Sequence, residues 1–278
     1  MRGAWRLYLR SPAAVLGALL VVAVAAMGLL APLLYPDDPL GLAGRPLQWP
    51  GDNPRFPLGT DPSGRDIAAQ VFHGARVSLL IGFAATLIAV AIGIAVGALA
   101  GFYGGAADTG LMRVTEAFQT LPNFLLLLLL VAVFGSDLRT ITVGIGLVSW
   151  PPVARLTRAE FLTLRTREFV QAARLQGLGD AHLILREVLP NALPPVLVYA
   201  SVVMAVSILL ESALSFLQLS DPNVPSWGNL IGLGRNVLRT EWYVSAIPGV
   251  AILLTILGVS LVGQGLNDAL NPRLAGGR

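Results

Sequence analysis

Few side chains in the long apolar stretches of this chain could take part in chemistry, and Glu211 is the most conspicuous of them. Ser207 and Ser215 stand four residues before and after it, so the three share one helical face, which we call the polar stripe. A carboxylate within a membrane-spanning helix is costly and normally faces protein or water. The polar stripe therefore predicts one of two roles. It either lines a solute pathway or the contact with a second chain, or it forms a hydrogen-bonded packing contact within this chain.

Composition indicates an integral membrane protein and excludes several kinds of site. Hydrophobic residues make up 55% of the 278 residues, charged residues only 13%, and the mean hydropathy is +0.71. All 19 basic residues are arginine and cysteine is absent, which excludes a Schiff-base lysine, a lysine-bearing phosphate loop, a disulfide and a thiolate site. His73 and His182 stand apart and outside the apolar stretches, so neither a metal site nor an intramembrane enzyme is expected.

Six stretches without charge predict an all-α integral membrane protein with six transmembrane helices. They cover 11–36, 77–107, 117–136, 140–154, 188–210 and 242–267. A helix that crosses about 30 Å of hydrocarbon needs roughly 20 residues, so the fourth stretch suffices only if Arg155 extends to the interface. The fifth is expected to continue through Glu211 to about Leu219.

The distribution of arginine predicts that both termini are cytoplasmic. Twelve arginines then lie inside: Arg2, Arg6, Arg10, Arg113, Arg155, Arg158, Arg165, Arg167, Arg174, Arg186, Arg273 and Arg278. Seven lie outside: Arg45, Arg55, Arg65, Arg76, Arg139, Arg235 and Arg239. The predicted division is a cytoplasmic N-terminus 1–10, a first span 11–35, an extracytoplasmic loop 36–76, a core 77–273 that contains a cytoplasmic loop 156–193, and a cytoplasmic tail 274–278.

The extracytoplasmic loop 36–76 changes character after Gly59. Asp61 followed by Pro62 predicts a helix start with Asp61 as the N-cap. The apolar face that follows predicts a short interfacial helix; it comprises Ile67, Ala68, Val71, Phe72 and Ala75. Asp61, Arg65 and Asp66 either cap and solvate this helix or contact an extracytoplasmic partner. Farther along the chain, Trp227 is expected to anchor the protein at the membrane interface.

The cytoplasmic loop contains a patterned segment, residues 168–189, which we call the knob. Good helix formers precede Gly177, which offers a left-handed stop, and Asp180 predicts the cap of a second short helix that ends before Pro190. The small residues Ala172, Ala173 and Gly177 would let another protein approach closely. Leu175 and Leu178 offer apolar surface that is unfavourable in water unless a partner covers it. The alternative is a peripheral helix that lies on lipid headgroups.

The knob resembles the EAA loop of permeases of binding-protein-dependent ABC importers. Gln171-Ala172-Ala173, Gly177 and Leu189-Pro190 keep the spacing of that motif, although Gln171 replaces the usual glutamate and Glu187 the usual isoleucine. The segments 58–82, 211–231 and 263–273 resemble the peptide/nickel (dipeptide/oligopeptide) subfamily, as does the turn at 101–105. The resemblance covers roughly 58–273 and rests on four ordered motifs.

This resemblance implies the type I ABC importer permease fold and a non-catalytic subunit in a bacterial or archaeal cytoplasmic membrane. The implied partners are a second homologous permease chain, two cytosolic ABC ATPases that carry ATP and Mg, and an extracytoplasmic solute-binding protein. This chain itself would bind no cofactor, metal or nucleic acid. The knob would be the coupling helix that enters the ATPase, with Gln171, Ala172, Ala173, Leu175, Gly177, Leu178 and Asp180 at the contact.

The sequence leaves the identity of the solute open. Dipeptides, oligopeptides, glutathione-like peptides and nickel chelates share the permease pattern. An ATP-independent secondary carrier or a channel is the alternative function, and Glu211 would be its coupling group. Dependence of transport on a nucleotide separates these two classes.

Overall fold

A computed structural model describes residues 8, 9 and 11–270, and the regular elements in this part of the chain are helices. The bounds are α1 Pro12–Leu34, α2 Ile67–Tyr103, α3 Gly105–Gln119, α4 Asn123–Phe134, α5 Leu138–Leu164, α6 Glu168–Leu175, α7 Asp180–His182, a π-helical segment Leu183–Val188, α8 Leu189–Phe216, α9 Trp227–Gly234, a 3₁₀ turn Arg235–Val237 and α10 Tyr243–Leu270. The predicted cytoplasmic ends at 1–10 and 274–278 fall almost wholly outside the described residues.

Four helical stretches in the described part are long and apolar enough to cross a membrane. They are α1, α2, α8 together with the turns from Asp180 that lead into it, and α10; α3 and α4, bent by 81°, would make a fifth as one broken span. α5 covers the fourth predicted stretch as a continuous helix of 27 residues, about 40 Å long, despite Pro151 and Pro152. An all-α membrane protein is confirmed at this level.

The predicted third span, 117–136, is not one straight helix. α3 ends at Gln119, and α4 begins only at Asn123. Pro122 explains the break, because proline lacks a backbone N–H and disfavours helical backbone at the residue before it. α4 alone has 12 residues, about 18 Å, which is too short for a full crossing.

α2 and α5 pack closely along a seam of glycines on α2. Gly93, Gly97 and Gly101 are spaced four residues apart and all are buried. A Cβ on Gly97 would lie 2.4 Å from the carbonyl oxygen of Ala154, and one on Gly101 would lie 2.6 Å from Cβ of Phe161. Only glycine permits so close an approach of the two backbones. We call this contact the glycine seam.

α2 connects two different ends of the molecule. Its first turns pack against α9 and α10 through a buried cluster of Ile67, Val71, Leu230, Tyr243 and Val244. Its last turn packs against α5 and the knob through a cluster that includes Phe102, Phe161, Val170, Leu183 and Val188. We call the first the loop end, since the segments 35–66 and 217–242 lie there, and the second the knob end.

The predicted helix start at Asp61 is wrong. α2 begins at Ile67 with Asp66 as its N-cap, whose Oδ1 accepts the N–H of Ala68 at 2.8 Å, and Asp61 caps nothing. No separate interfacial helix forms, because the predicted apolar face is the beginning of α2 and packs on protein. Trp227 is not an interfacial anchor either: it is fully buried, and its Nε1 donates to the carbonyl of Val71 at 2.9 Å.

Candidate functional site

The first helix of the knob ends in a Schellman motif. After α6 (Glu168–Leu175), the N–H of Gly177 donates to the carbonyl of Arg174 at 3.0 Å, and the N–H of Leu178 donates to that of Ala173 at 3.4 Å. Gly177 has φ +81°, in the left-handed region that glycine adopts at no steric cost. The predicted helix and its glycine stop are both confirmed.

The knob has one buried face and one exposed face. Val170 and Ala173 pack into the cluster at the knob end, and Leu178 is half-buried at its rim. The other predicted coupling residues are exposed, namely Gln171, Ala172, Leu175, Gly177 and Asp180. Leu175 leaves 90% of its surface uncovered, and no atom lies within 4 Å of a Cβ built on Gly177. The exposed face therefore combines an apolar projection with open space for a partner.

The second half of the knob differs from the prediction. The helix starts at Asp180 itself, without a side-chain cap, and it does not end before Pro190. The π-helical segment Leu183–Val188 carries it into α8, with the N–H of Leu189 bonded to the carbonyl of Ile184, five residues back. This wider turn accommodates the proline, which would clash with a carbonyl four residues earlier in a regular α-helix.

Two arginines fasten the last turns of α5 that lead into the knob, which we call the stem: Arg158 within α5 and Arg165 directly after it. Arg158 forms a bidentate ion pair with Asp108 of α3; its Nη2 donates to Oδ2 at 2.6 Å, and its Nε donates to Oδ1. Arg165 donates from Nη1 to the carbonyl of Phe102 at 3.0 Å. Bidentate arginine–carboxylate contacts combine charge with fixed geometry. The knob thus rests on a stem joined to both α2 and α3.

At the opposite end of α2, Asp61 organises a tight turn. Its Oδ1 accepts the N–H groups of Ser63 and Arg65 at 2.8 and 2.9 Å, and its Oδ2 accepts Nε2 of Gln70 at 3.1 Å. The side chain of Asp61 is fully buried. These bonds occupy the carboxylate within the chain, so of the three residues predicted to contact an outside partner, Asp61 is held away from the surface.

Asp66 caps α2 and faces a different region from Arg65. It lies beside a second pocket, which Tyr35 and Arg55 also line. Burial raises the pKa of the Asp66 carboxyl, because a less hydrated site disfavours the charged form. The backbone N–H groups of Ala68 and Ala69 and the charge of Arg55 oppose this increase in pKa.

Arg65 lies on the wall of a cavity of about 360 Å³ between the Asp61 turn and the segment that follows α8. Its side chain makes no hydrogen bond or ion pair with the described residues, and its Nε is buried without a partner. The other polar residues of the wall are Ser63, Ser215, Gln218, Ser220, Asn223 and Asn229, and no acidic residue lines it. We call this the loop-end cavity.

α8 ends at this cavity in a second Schellman motif. After Phe216, the N–H of Gln218 donates to the carbonyl of Ser215 at 2.8 Å, and the N–H of Leu219 donates to that of Leu214 at 3.0 Å. Gln218 has φ +60°, a backbone conformation that is costly for a residue with a Cβ. The motif places a glutamine side chain at the cavity where glycine is usual.

Asn229 holds the rim of the cavity in place. Its Nδ2 donates to the carbonyls of Asp221 and Val224, both at 2.9 Å, and its Oδ1 accepts the hydroxyl of Ser220 at 2.6 Å. The amide is thereby fully used in tying the segment 217–226 to α9. Three side-chain hydrogen bonds therefore hold the rim.

The polar stripe of α8 faces protein along its whole length. Ser207, Glu211 and Ser215 are all buried, and the Ser215 hydroxyl donates to Oε1 of Glu211 at 2.8 Å. Ser212 donates to Oε2 at 3.4 Å. A Cβ on Gly228 of α9 would lie 2.6 Å from Cβ of Ser215, so α9 covers this part of the stripe closely. Glu211 therefore lies one hydrogen bond behind the wall of the loop-end cavity.

Comparison with known families identifies the group to which this helical architecture belongs. Residues 93–276 match the family described as the binding-protein-dependent transport system inner membrane component. The chain belongs to this family. The permease also matches, over residues 1–50, the N-terminal TM domain of oligopeptide transport permease C.

Relatives of similar length bear names of peptide permeases. The permease is 38% identical over 276 residues to the di/tripeptide transport system permease protein of Pseudomonas aeruginosa, covering 97% of this chain and 91% of that one. It is 33% identical to the dipeptide transport system permease protein of Haemophilus influenzae, covering 97% and 94%. It is 34% identical to the glutathione transport system permease protein of Pectobacterium atrosepticum, covering 97% and 90%.

A solved structure shares the fold. A chain of the MetNI methionine ABC transporter, in an inward-facing conformation, matches the permease with a TM-score of 0.61 and 17% identity, over 73% of the permease and 96% of that chain. At this level of identity the likeness concerns the fold alone. It agrees with the all-α membrane fold described above.

The structure brings together residues that lie far apart in the sequence. Arg65, from the loop before α2, and Ser215, from the polar stripe, line the same cavity, whereas Asp66 and Ser207 do not. Gln218 and Asn229 were not singled out from the sequence. The available signal was the polar run around Asp221, whose Asp-Pro-Asn order favours a turn after a long apolar helix.

Proposed function

We propose that this permease is one of two pore-forming subunits of an ATP-driven importer of small peptides. The near full-length similarity to permeases of di/tripeptide, dipeptide and glutathione transport systems carries the proposal. The chain has no lysine and so no lysine-bearing phosphate loop. ATP hydrolysis belongs to two cytosolic ATPase subunits, and an extracytoplasmic binding protein delivers the solute.

The knob is the ATPase contact in this proposal. Its exposed Leu175 and the open space at Gly177 form a surface that a separate protein can cover. The ion pair and hydrogen bond of the stem support this role, because a force received by the knob passes directly into α2, α3 and α5. The buried face of α6 keeps the exposed face oriented.

The chain crosses the bilayer six times in this arrangement. α1, α2, the bent pair α3–α4, α5, α8 and α10 are the six spans, and the knob end faces the cytoplasm with both termini. α5 has the length for a crossing and is sheltered by the glycine seam, which allows a less apolar composition. The loop end then faces the binding protein.

Glu211 acts through packing in this arrangement. It is buried within the chain and bonded to Ser215 and Ser212, so it does not itself reach a pathway. Its contribution is to fix the Ser215 side chain at the wall of the loop-end cavity. Of the alternatives for the polar stripe, a hydrogen-bonded packing contact fits this geometry best.

Reconstituted transport tests the proposed function. The permease is assembled in liposomes with its partner permease, two ATPases and the binding protein, and uptake of a radiolabelled dipeptide is measured with ATP and with a non-hydrolysable analogue. We expect uptake only with ATP and the binding protein together. Uptake driven by an ion gradient without ATP would instead establish the secondary carrier and remove the importer assignment.

Cysteine labelling tests the proposed orientation. The chain contains no cysteine, so Arg45→Cys and Asp180→Cys each introduce a single thiol at an exposed position. With the loop end outside, an impermeant maleimide applied to intact cells labels position 45 and not position 180. Permeabilised cells, in which both positions react, provide the control. The reverse pattern in intact cells would overturn the orientation and the assignment of the knob to the cytoplasm.

A further inference from the structure

The loop-end cavity has the features of a binding site rather than of a packing defect. Its volume of about 360 Å³ falls within the range of roughly 300–1,000 Å³ typical of ligand pockets. Its wall combines one arginine with hydroxyl and amide groups and contains no acidic side chain. Packing defects in proteins are normally apolar, whereas polar cavities hold water or ligands.

We propose that the loop-end cavity binds a carboxylate group of the solute, with Arg65 as the residue that holds it. This inference rests on the proposed function and adds a subsite within the membrane subunit to it. The solute class is a small peptide with a free C-terminal carboxylate. The cavity would receive the peptide at the loop end, on its way from the binding protein into the pathway.

Arg65 carries a charge for which the described residues provide no counterion. The Asp61 carboxylate, four residues earlier, accepts the Arg65 backbone N–H and not its side chain. Nε of Arg65 is buried and has no hydrogen-bond partner. A guanidinium with free donors in a sheltered polar pocket matches a carboxylate in both charge and fork geometry.

Gln218 supplies a second free group at the cavity. Its side-chain amide makes no hydrogen bond with the described residues, so both a donor and an acceptor remain for a peptide bond of the solute. Its left-handed backbone is costly for a glutamine, and strained conformations of this kind concentrate at functional sites. Asn229 is fully engaged in the rim, so it shapes the cavity and leaves binding to Gln218 and Arg65.

The experiment compares dialanine with its C-terminal amide on the assembled permease–ATPase complex in nanodiscs, without the binding protein. Saturation-transfer NMR detects weak binding of each compound. We expect a clear signal for dialanine that exceeds the signal for the amide. In Arg65→Gln we expect the preference for the carboxylate to disappear, and in Arg65→Lys we expect it to return in part, because lysine keeps the charge but not the bidentate fork.

Transport measurements place this binding on the pathway. In the complete reconstituted importer, Arg65→Gln should lower kcat/KM for dialanine uptake by about tenfold or more, because a hydrogen-bonded charge contact is lost. Arg239→Gln is the matched control: it removes the same charge from an exposed arginine of the loop end outside the cavity. We expect this control to transport like the wild type.

Gln218→Gly is the second variant, since glycine is favoured at that backbone position and the fold is retained. It should weaken the dialanine signal while the complex stays at full abundance. Equal dialanine binding by wild type and both variants would sink the proposed subsite.

Two further outcomes distinguish a failure of the carboxylate subsite from a failure of the proposed function. If Arg65→Gln reduces the affinity of the complex for the peptide-free binding protein, Arg65 contacts that protein and the carboxylate subsite is wrong. If the wild type shows no ATP-dependent peptide uptake, the proposed function fails. The NMR comparison of dialanine with its amide would still support or reject the site by itself.

Discussion

The two Schellman motifs of the permease have the same backbone geometry but different residues at the left-handed position. At the knob end this residue is Gly177, with φ +81°; at the loop end it is Gln218, with φ +60°. Glycine is free of cost there, whereas glutamine costs about 1–2 kcal/mol. The same helix end thus serves one region by leaving space and the other by presenting a side chain.

The surroundings of the two motifs also differ, because the side chains beside the first are exposed and those near the second are buried. At the knob end, Leu175 is 90% exposed beside the glycine. At the loop end, Trp227 and Tyr243 are buried, and the Tyr243 hydroxyl donates to the carbonyls of Gln48 and Thr60 at 2.9 and 3.3 Å. The knob end thus leaves an apolar side chain exposed, whereas the loop end is held together by long-range contacts within the chain.

The largest expected effect comes from adding bulk to the open surface of the knob. Gly177→Arg should abolish ATP-dependent uptake, because the new side chain fills the space that the ATPase needs, while the backbone strain of about 1–2 kcal/mol leaves the fold intact. Uptake and copurification of the ATPase are the measurements.

Gly51→Arg is the control for that variant. Gly51 has φ +88° and, like Gly177, no atom within 4 Å of a built Cβ, but it lies in the loop 36–66. It should bear the same strain and transport normally. Normal ATPase association and uptake in Gly177→Arg would contradict the coupling assignment.

The next effect tests how tightly the loop end is closed. Gly59 has φ +78°, and a Cβ there would lie 2.3 Å from the carbonyl oxygen of Gln48. Gly59→Val should lower the free energy of unfolding by about 3 kcal/mol or more, from backbone strain and overpacking together. The midpoint of thermal unfolding in detergent measures the loss. In Gly51→Val the strain occurs without the clash, so an equal loss in both variants would show that the loop end is not packed as described.

A smaller effect is expected at the buried carboxylate. Glu211→Leu removes the acceptor of the Ser215 hydroxyl and should cost about 1–3 kcal/mol of stability, whereas Glu211→Gln keeps an oxygen in place and should cost less. Dipeptide uptake at equal complex abundance should be close to wild type in Glu211→Gln. A changed pH profile of uptake in that variant would assign Glu211 to the pathway instead.

The smallest effect is a gain in stability. Gln218→Gly relieves the left-handed glutamine and should raise the free energy of unfolding by up to about 1 kcal/mol. Thermal unfolding of the purified protein measures this. Lower stability of the variant would mean that the Gln218 side chain serves to hold the end of α8 in place and not to bind the solute.

The first helix of the knob is the part of the fold most open to prediction. It follows from good helix formers and a terminal glycine, and α8 runs through Glu211 as an apolar stretch predicts. The burial of the polar stripe follows from the cost of polar groups in lipid. These features depend on residues close together in the chain, where propensity and periodicity are informative.

The incorrect or missing predictions concern the start of α2, the break before α4 and the loop-end cavity. Asp61-Pro62 satisfies the local rules for a helix start as well as Asp66 does, but the Asp61 carboxylate is used in a tight turn and in a hydrogen bond from Gln70, nine residues later. The break at Pro122 lies within the charge-free stretch 117–136, where the lack of charge suggests one continuous span although polar Gln119, Thr120 and Asn123 flank the proline. The loop-end cavity joins Arg65 to residues beyond 214, so neither helical periodicity nor motif spacing could indicate it.

The glycine seam has a mechanical consequence. Sliding α2 along α5 would carry Gly97 away from the backbone atoms that it accommodates and force the two helices apart. We therefore expect them to move as one rod, and α2, with 37 residues, makes it about 55 Å long. In the proposed importer, a displacement applied at the knob would therefore not be absorbed by slippage on the way. It would reach the loop-end cavity as a tilt, with the rod as a lever and Arg65 just beyond its far end.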